Sequence, residues 1–141
     1  MLVFAAPVQA SSLNLMDKVT ELETTEDSAE DTIFSRLRGN NLNFGKAKIV
    51  KLGSNEICIY GLTQCHRFCD ELWLDLYLEQ KEDGVYSTYD YWHYDTDDTS
   101  LSVSMNVIVP KNHYYRVRGY HAAKDGSKEA VTTLTSGIWV G

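Results

Sequence analysis

The sequence lacks the features that mark several large classes of protein. Its 13 Lys and Arg are outnumbered by 20 Asp and Glu, which gives a net charge of −7. A phosphate-binding surface needs a basic stripe, so the composition argues against nucleic acid and against anionic membranes as partners. No apolar run approaches the ~20 residues that a membrane-spanning helix requires. We therefore predict that the chain is not an integral membrane protein.

The sequence also lacks a recognisable catalytic signature. Its three Cys and four His could form a Cys–His pair on paper, but any chain of this composition offers the same combination. We predict a protein that is not an enzyme, with no catalytic residues and no cofactor. A metal-dependent or thiol-dependent enzyme is the third of three alternatives for its function.

The most informative stretch is residues 72–94. Leucines recur at every second position from Leu72 to Leu78, and polar or aromatic residues lie between them. This period of two is typical of a strand with one buried and one solvated face. Asp83-Gly84 follows, a pair that favours a tight hairpin because both turn residues need positive φ. An aromatic second strand is predicted over residues 85–94.

The same alternation recurs along most of the chain. It is interrupted by turn signals, among them a polar turn predicted at residues 95–99. The predicted strands cover residues 43–52, 56–63, 72–79, 85–94, 101–109, 114–122 and 130–140. Short strands separated by frequent turns predict an all-β fold, a single antiparallel β-sandwich of about seven strands over residues 39–141.

The first 38 residues have a different character. Residues 1–10 end in Val8-Gln9-Ala10, which has small residues at the positions that a signal peptidase recognises. We therefore interpret residues 1–10 as the remnant of a signal peptide. The alternative is an apolar N-terminus that packs as a strand. Residues 11–38 hold seven acidic and three basic residues and predict a disordered, flexible acidic leader, or alternatively a pro-segment. These segments predict a secreted, extracellular protein.

The last predicted hairpin carries a resemblance to a known family. Residues 115–120 (Tyr-Arg-Val-Arg-Gly-Tyr), residues 125–129 (Asp-Gly-Ser-Lys-Glu) and Thr132 resemble the final hairpin of a fibronectin type III domain. The sequence departs from that family in the second strand, where Ile57 and Ile59 stand in place of a core Trp. The resemblance implies a fibronectin-like or immunoglobulin-like sandwich, with a tyrosine corner at the start of the sixth strand.

A second resemblance spans roughly residues 40–141. Residues 76–81 (Leu-Tyr-Leu-Glu-Gln-Lys), residues 114–121 (Tyr-Tyr-Arg-Val-Arg-Gly-Tyr-His) and residues 135–141 (Thr-Ser-Gly-Ile-Trp-Val-Gly) resemble a family of small exported proteins of Gram-positive bacteria. The function of that family is unknown. The resemblance implies secretion and one sandwich domain, and it implies no activity.

The cysteines allow three interpretations. In an exported protein Cys65 and Cys69 predict a disulfide across one turn, with Cys58 left as a buried thiol. Closing so short a loop would contribute only roughly 2 kcal/mol. Free thiols are the second possibility. A metal site at Cys65, His66 and Cys69 is the third, although zinc sites usually show two close-spaced ligand pairs.

The acidic run at residues 95–98 (Asp-Thr-Asp-Asp) raises the question of calcium. An EF-hand that began at Asp95 would need Gly at its sixth position and an acidic residue at its twelfth. Those positions hold Ser100 and Asn106. The run therefore favours a solvated turn, and no metal ligand is predicted.

An exposed aromatic sheet face is the main functional hypothesis. If the leucines of residues 72–78 and Tyr115 face inward, aromatic and Arg side chains of neighbouring strands share the outer face. Tyr, Trp and Arg are enriched at binding hot spots, although aromatic residues also simply favour strands. The predicted face comprises Trp73, Tyr77, Trp92, Arg116, Arg118 and Tyr120. It predicts a secreted module that binds an unknown protein or glycan; the alternative is a structural spacer with no small ligand.

Overall fold

The computed structural model describes residues 22–36, 39 and 41–141. The described part of the chain forms seven strands and no helix, and its named strands pair only antiparallel, which confirms the predicted all-β fold. The strands are β1 (Ser28–Phe34), β2 (Leu42–Gly53), β3 (Glu56–Glu82), β4 (Val85–Ile108), β5 (His113–Asp125), β6 (Ser127–Leu134) and β7 (Ile138–Val140).

The long hairpin of β3 and β4 is the centre of the sheet's connectivity. The hydrogen-bonded order is β1-β2-β3-β5-β6, with β4 paired to β3 and β7 paired to β5. The first part of β3 pairs with β2, and its second part pairs with β5, while β4 accompanies β3 along nearly its whole length. A single strand therefore joins the two groups of strands.

A bend in this hairpin converts one sheet into two layers. The pairing of β3 with β4 is interrupted between Gln64 and Leu72, where β3 carries more residues than β4. Such bulges bend a strand and increase its twist. Beyond the bend, β3, β5 and β7 pack their inner faces against β2 and the first part of β3. The molecule is thus a sandwich made from a continuous bent sheet.

The core lies between the two layers and follows the alternation of the sequence. Ile49, Ile57, Leu76 and Val117 are fully buried, and each is flanked along its strand by residues that are less buried. Burying a side chain of this size contributes about 1.5–3 kcal/mol. A second buried cluster surrounds the bend. It consists of Leu42, Cys65, Cys69, Leu72 and Ala123.

Several predicted boundaries were wrong. Residues 56–63 and 72–79 are parts of one strand, and so are residues 85–94 and 101–109. Residues 95–99, predicted as a polar turn, continue β4 through the bend. The last predicted strand is two strands, β6 and β7. Seven strands result, although they are not the seven that the turn signals indicated.

The acidic leader was also predicted too long. Residues 28–34, inside the stretch predicted to be flexible, form β1 and pair with β2. The Asp31 carboxylate accepts a hydrogen bond of 2.8 Å from the backbone N–H of Leu134, so this strand also contacts the edge of β6. The predicted signal-peptide remnant and residues 11–21 lie outside the described residues.

Tyr115 occupies the position that the tyrosine-corner resemblance implied. Its ring is fully buried and its hydroxyl donates to the carbonyl oxygen of Pro110 at 2.5 Å. The predicted inward orientation of Tyr115, Val117 and Gly119 is confirmed. Between residues 22 and 141, where the chain is described, no helix is long and apolar enough to cross a membrane.

Candidate functional site

The outer face of β3 beyond the bend carries the predicted aromatic residues. Leu74, Leu76 and Leu78 are fully buried, so the intervening Trp73 and Tyr77 lie on the opposite side of the sheet and are half-buried. This arrangement follows from the period of two in the sequence, because successive side chains of a strand point to opposite faces.

β5 supplies the Arg residues beside this row. Tyr77 pairs with Arg118, and Glu79 pairs with Arg116. Tyr120 is opposite Asp75 in the same ladder. The structure therefore brings five of the predicted residues onto one surface, joined by Lys128 of β6. We call this surface the cationic–aromatic face: Trp73, Tyr77, Arg116, Arg118, Tyr120 and Lys128.

A single carboxylate holds the two Arg side chains. Arg116 Nε donates to Glu79 Oε1 at 2.7 Å, and Arg118 Nε donates to Glu79 Oε2 at 2.9 Å. The Glu79 side chain is only 8% exposed, whereas that of Arg118 is 38% exposed. Charge-assisted hydrogen bonds of this kind are about twice as strong as neutral ones, so Glu79 fixes the orientation of both guanidinium groups.

Cations cover the aromatic rings. Arg118 Cζ lies 4.2 Å from the centroid of the Tyr77 ring, and Lys128 Nζ lies 4.7 Å from the Trp73 ring. Lys128 Nζ is also 5.7 Å from the Tyr120 ring. Cation–π contacts at exposed sites contribute about 0.5–1 kcal/mol each. The ring faces are thus occupied, and the surface offers cationic groups framed by aromatic edges.

β4 extends the surface with a histidine between two carboxylates. His93 Nδ1 lies 2.5 Å from an Asp75 oxygen, and Nε2 lies 2.9 Å from an Asp95 oxygen. The hydrogen bond to Asp75, and next the one to Asp95, raise the pKa of His93 above its ordinary value. Both ring nitrogens are therefore held as donors to carboxylates. The centroid of the Tyr91 ring lies 4.8 Å from that of Tyr77, with the two rings tilted by 39°.

Trp92 is the predicted face residue that the structure places elsewhere. It pairs with Leu76 and packs against the core between the layers. A β-bulge causes this: Glu79 pairs with Thr88, but Leu78 pairs with Asp90. The extra residue shifts the register by one and turns each later side chain to the other face. Tyr91 and His93 consequently lie on the surface that Trp92 was predicted to share.

The cysteines are free thiols in the structure, so the predicted Cys65–Cys69 disulfide is not present. Both side chains are buried at the bend. Burial and the neighbouring Cys69 raise the pKa of Cys65 to about 12, and burial also raises that of Cys69. Thiols of raised pKa are poor nucleophiles and poor metal ligands.

Neither predicted metal alternative gains support from the geometry. His66 is exposed, whereas Cys65 and Cys69 face the core. Asp95 is bound to His93, and Asp98 Oδ1 accepts the backbone N–H of Thr99 at 2.6 Å. In the described ranges, no group of three or more Cys, His, Asp or Glu is arranged to hold a metal ion.

Lys128 is the residue of this surface that sequence reasoning missed. The alternation predicts Glu79 on the outward side of its strand, where it can pair with Arg of the neighbouring strand, as it does with Arg116 and Arg118. Lys128 precedes the last predicted strand, residues 130–140. Its place over the Trp73 ring becomes visible only when β6 is aligned with β5.

Comparison with known proteins gives a family and a distant structural similarity. The sequence model of the Family of unknown function (DUF6147) matches residues 17–137. No curated protein matches the chain. A solved structure of Spo0M, a sporulation control protein from Bacillus subtilis, is similar with a TM-score of 0.40 and 10% identity, over 82% of this chain and 51% of that one. The chain therefore spans about half the length of that structure.

Proposed function

The chain belongs to the Family of unknown function (DUF6147), and since this membership names no activity, we propose that the protein is a non-enzymatic module that binds a protein partner through its cationic–aromatic face. The proposal rests on the contacts and the exposure of Arg118. Its guanidinium is stacked on Tyr77, is anchored by Glu79 and is still 38% exposed. An Arg fixed in this way loses little conformational entropy when a partner's carboxylate binds it.

The coverage of the rings favours a protein over a glycan at this face. A sugar ring that stacked on Trp73 or Tyr77 would have to displace Lys128 or Arg118 from the ring. A protein surface needs no such displacement, because acidic side chains can bind the cations while apolar groups contact the aromatic edges. Trp, Tyr and Arg together are also the composition of binding hot spots.

Two features support a non-enzymatic role. Both nitrogens of His93 are engaged by carboxylates, which leaves neither nitrogen free to accept a proton. The buried thiols Cys65 and Cys69 have raised pKa values, opposite to the shift that activates a nucleophile.

We propose that the module acts outside the cell. The sequence Val8-Gln9-Ala10 supports this, together with the resemblance to exported proteins of Gram-positive bacteria. The buried Tyr115 and its bond to Pro110 are compatible with the fibronectin-like resemblance, which stays a prediction.

A ligand selection followed by matched variants tests the binding face. Peptides or proteins selected from a display library on the immobilised wild-type protein are titrated against each variant by biolayer interferometry. Trp73→Ala and Arg118→Ala are expected to weaken binding at least tenfold, the loss typical of a hot-spot residue. Tyr60→Ala and Lys48→Ala, on half-buried positions of the other layer, are the controls and should bind as the wild type does.

Two outcomes count against the proposal. Selected ligands that bind Trp73→Ala and Arg118→Ala as tightly as the wild type would place the binding site elsewhere. A selection that enriches no saturable ligand would favour the structural spacer. Removing Arg118 leaves Glu79 with one fewer counter-charge, which affects stability as well as binding. Thermal unfolding of each variant therefore distinguishes a loss of binding contacts from a loss of the fold.

A further inference from the structure

A second aromatic site lies at the end of the sandwich where β7 meets the segment before β1. Trp139 is on the outer side of β7, 44% exposed, between the buried Ile138 and Val140. Its ring meets Tyr114 of β5 at 5.1 Å between centroids and an angle of 65°. These two rings form one wall of a depression of about 470 Å³. That volume is within the range of small-molecule sites.

Polar side chains form the remainder of the depression. It is lined by Thr24, Thr25, Glu26, Asp27 and Lys51 beside the two aromatic rings. The backbone holds this segment in place: Lys51 N–H donates to the Asp27 carbonyl oxygen at 2.7 Å, and Thr24 N–H donates to the Gly137 carbonyl oxygen at 2.9 Å. The segment is therefore tied to both β2 and the approach to β7.

The charged groups of this lining are not paired with one another. Within residues 22–36, 39 and 41–141, no ion pair involves the side chains of Glu26, Asp27 or Lys51. In the same part of the chain no cation lies over the Trp139 ring, in contrast to Trp73. Its indole N–H is not a donor in any hydrogen bond of the described residues. Acceptors, donors and an aromatic pair with no cation over its Trp139 ring thus border the same space.

We propose that this depression is a carbohydrate site that takes a hexopyranose unit of an oligosaccharide without acidic groups. A pyranose has a face of C–H groups and a rim of hydroxyls. The C–H face buries apolar area on the indole of Trp139, while hydroxyls donate to the carboxylates of Glu26 and Asp27 and accept from the ammonium of Lys51. Two carboxylates against one ammonium disfavour uronic or sialic acids.

Isothermal titration of the full-length protein with neutral tetrasaccharides, cellotetraose and N-acetylated chitotetraose, tests the assignment. At least one should bind the wild type, and Trp139→Ala should weaken it about tenfold or more, because the stacking surface is removed. The double variant E26Q/D27N should weaken binding in the same direction, because its amides are weaker acceptors than carboxylates. Tetragalacturonate, an acidic sugar of similar size, should bind more weakly than the neutral probes.

The matched control is Trp73→Ala, which removes an indole from the cationic–aromatic face and should leave sugar binding unchanged. Three results would overturn the site: no binding of either neutral probe to the wild type, equal binding to wild type and Trp139→Ala, or loss of sugar in Trp73→Ala. Because E26Q/D27N changes only exposed side chains, its loss of binding cannot be ascribed to unfolding. Of the two Trp variants, only Trp73→Ala should weaken binding of the protein ligand and only Trp139→Ala should weaken binding of the sugar, so the two proposals fail separately.

Discussion

At the scale of single residues, His121 is a titratable group in the core. It is fully buried between the layers, with Nε2 2.8 Å from Thr133 Oγ1 and Nδ1 3.3 Å from Thr63 Oγ1. Room for the ring comes from glycines: a Cβ at Gly45 would lie 2.3 Å from His121 Cγ. Burial lowers the pKa of His121 to about 4, from an ordinary value of 6.5.

This shift makes stability depend on pH. The unfolded chain binds the proton below pH 6.5 and the folded chain only near pH 4, so unfolding is favoured progressively as the pH falls through that window. The contribution of His121 to the free energy of unfolding is complete above pH 6.5, and about 3 kcal/mol of it is lost by pH 4.

Urea denaturation at pH 7.5, 5.5 and 4.5 measures this dependence. H121Q removes the titration and keeps an amide that can bond to the two threonines, so the difference between wild type and H121Q isolates the histidine from the carboxylates. The difference in free energy of unfolding between the wild type and H121Q should narrow or reverse as the pH falls. Parallel pH profiles of wild type and H121Q would show that His121 does not titrate in this window.

At the scale of elements, the hairpin turn between β3 and β4 depends on positive φ. Asp83 has φ 53° and Gly84 has φ 80°, as the Asp-Gly pair predicted. A left-handed conformation costs a non-glycine residue roughly 1–2 kcal/mol. Gly84→Ala should therefore lower the free energy of unfolding by about 1 kcal/mol, measured by denaturant titration.

Gly53 provides the matched control for that substitution. It ends β2, has no positive φ, and a Cβ there would meet no heavy atom within 4 Å. Gly53→Ala should leave stability within roughly 0.5 kcal/mol of the wild type. If Gly84→Ala proved as mild as Gly53→Ala, the turn would not be under conformational constraint.

The hairpin of β3 and β4 has one feature that the sequence predicts, its buried face, and two that it does not, the bulge and the bend. The alternation of the leucines correctly predicted which face of β3 is buried, because burial alone sets that pattern. The bulge at residues 88–90 has no signal in the sequence, yet it decides that Trp92 points inward and His93 outward. The bend was missed because residues 65–71 interrupt the alternation, which a turn would also do.

β1 was missed for a different reason. Its seven residues, Ser28–Phe34, alternate between exposed and half-buried positions, but two of the residues are acidic and one is a small Ala. The acidic composition therefore predicted a flexible segment, although the residues alternate as in a strand. The strand is stabilised by its pairing with β2 and by the hydrogen bond from Leu134 to Asp31, both of which are long-range and invisible in a local window.

At the scale of the whole molecule, the proposed export predicts the length of the mature chain. If the signal-peptide interpretation is right, the protein recovered from the culture medium should begin near Ser11, and its intact mass should lie below that of the 141-residue chain by the mass of residues 1–10. Mass spectrometry of the intact secreted protein measures this directly. A full-length mass, or protein found only inside the cells, would contradict export.

The two proposed sites also have a spatial relation that the fold imposes. The aromatic residues of both lie on strands of one layer, with Tyr77 opposite Arg118 in the ladder of β3 and β5, and Tyr114 opposite Trp139 in that of β5 and β7. β5 is common to both ladders. A glycan and a protein partner would therefore bind along one strand, at positions separated by four residues between Tyr114 and Arg118.

The passage of β3 and β4 through both layers has a consequence for recognition. Two layers joined only by loops can tilt against each other, but β3 and β4 run without a break through both layers and are paired on either side of the bend, which restrains such tilting. A partner that bound the proposed face would therefore meet a surface that needs little ordering on contact. Under the proposed function, such a surface would select its ligand by complementarity of shape.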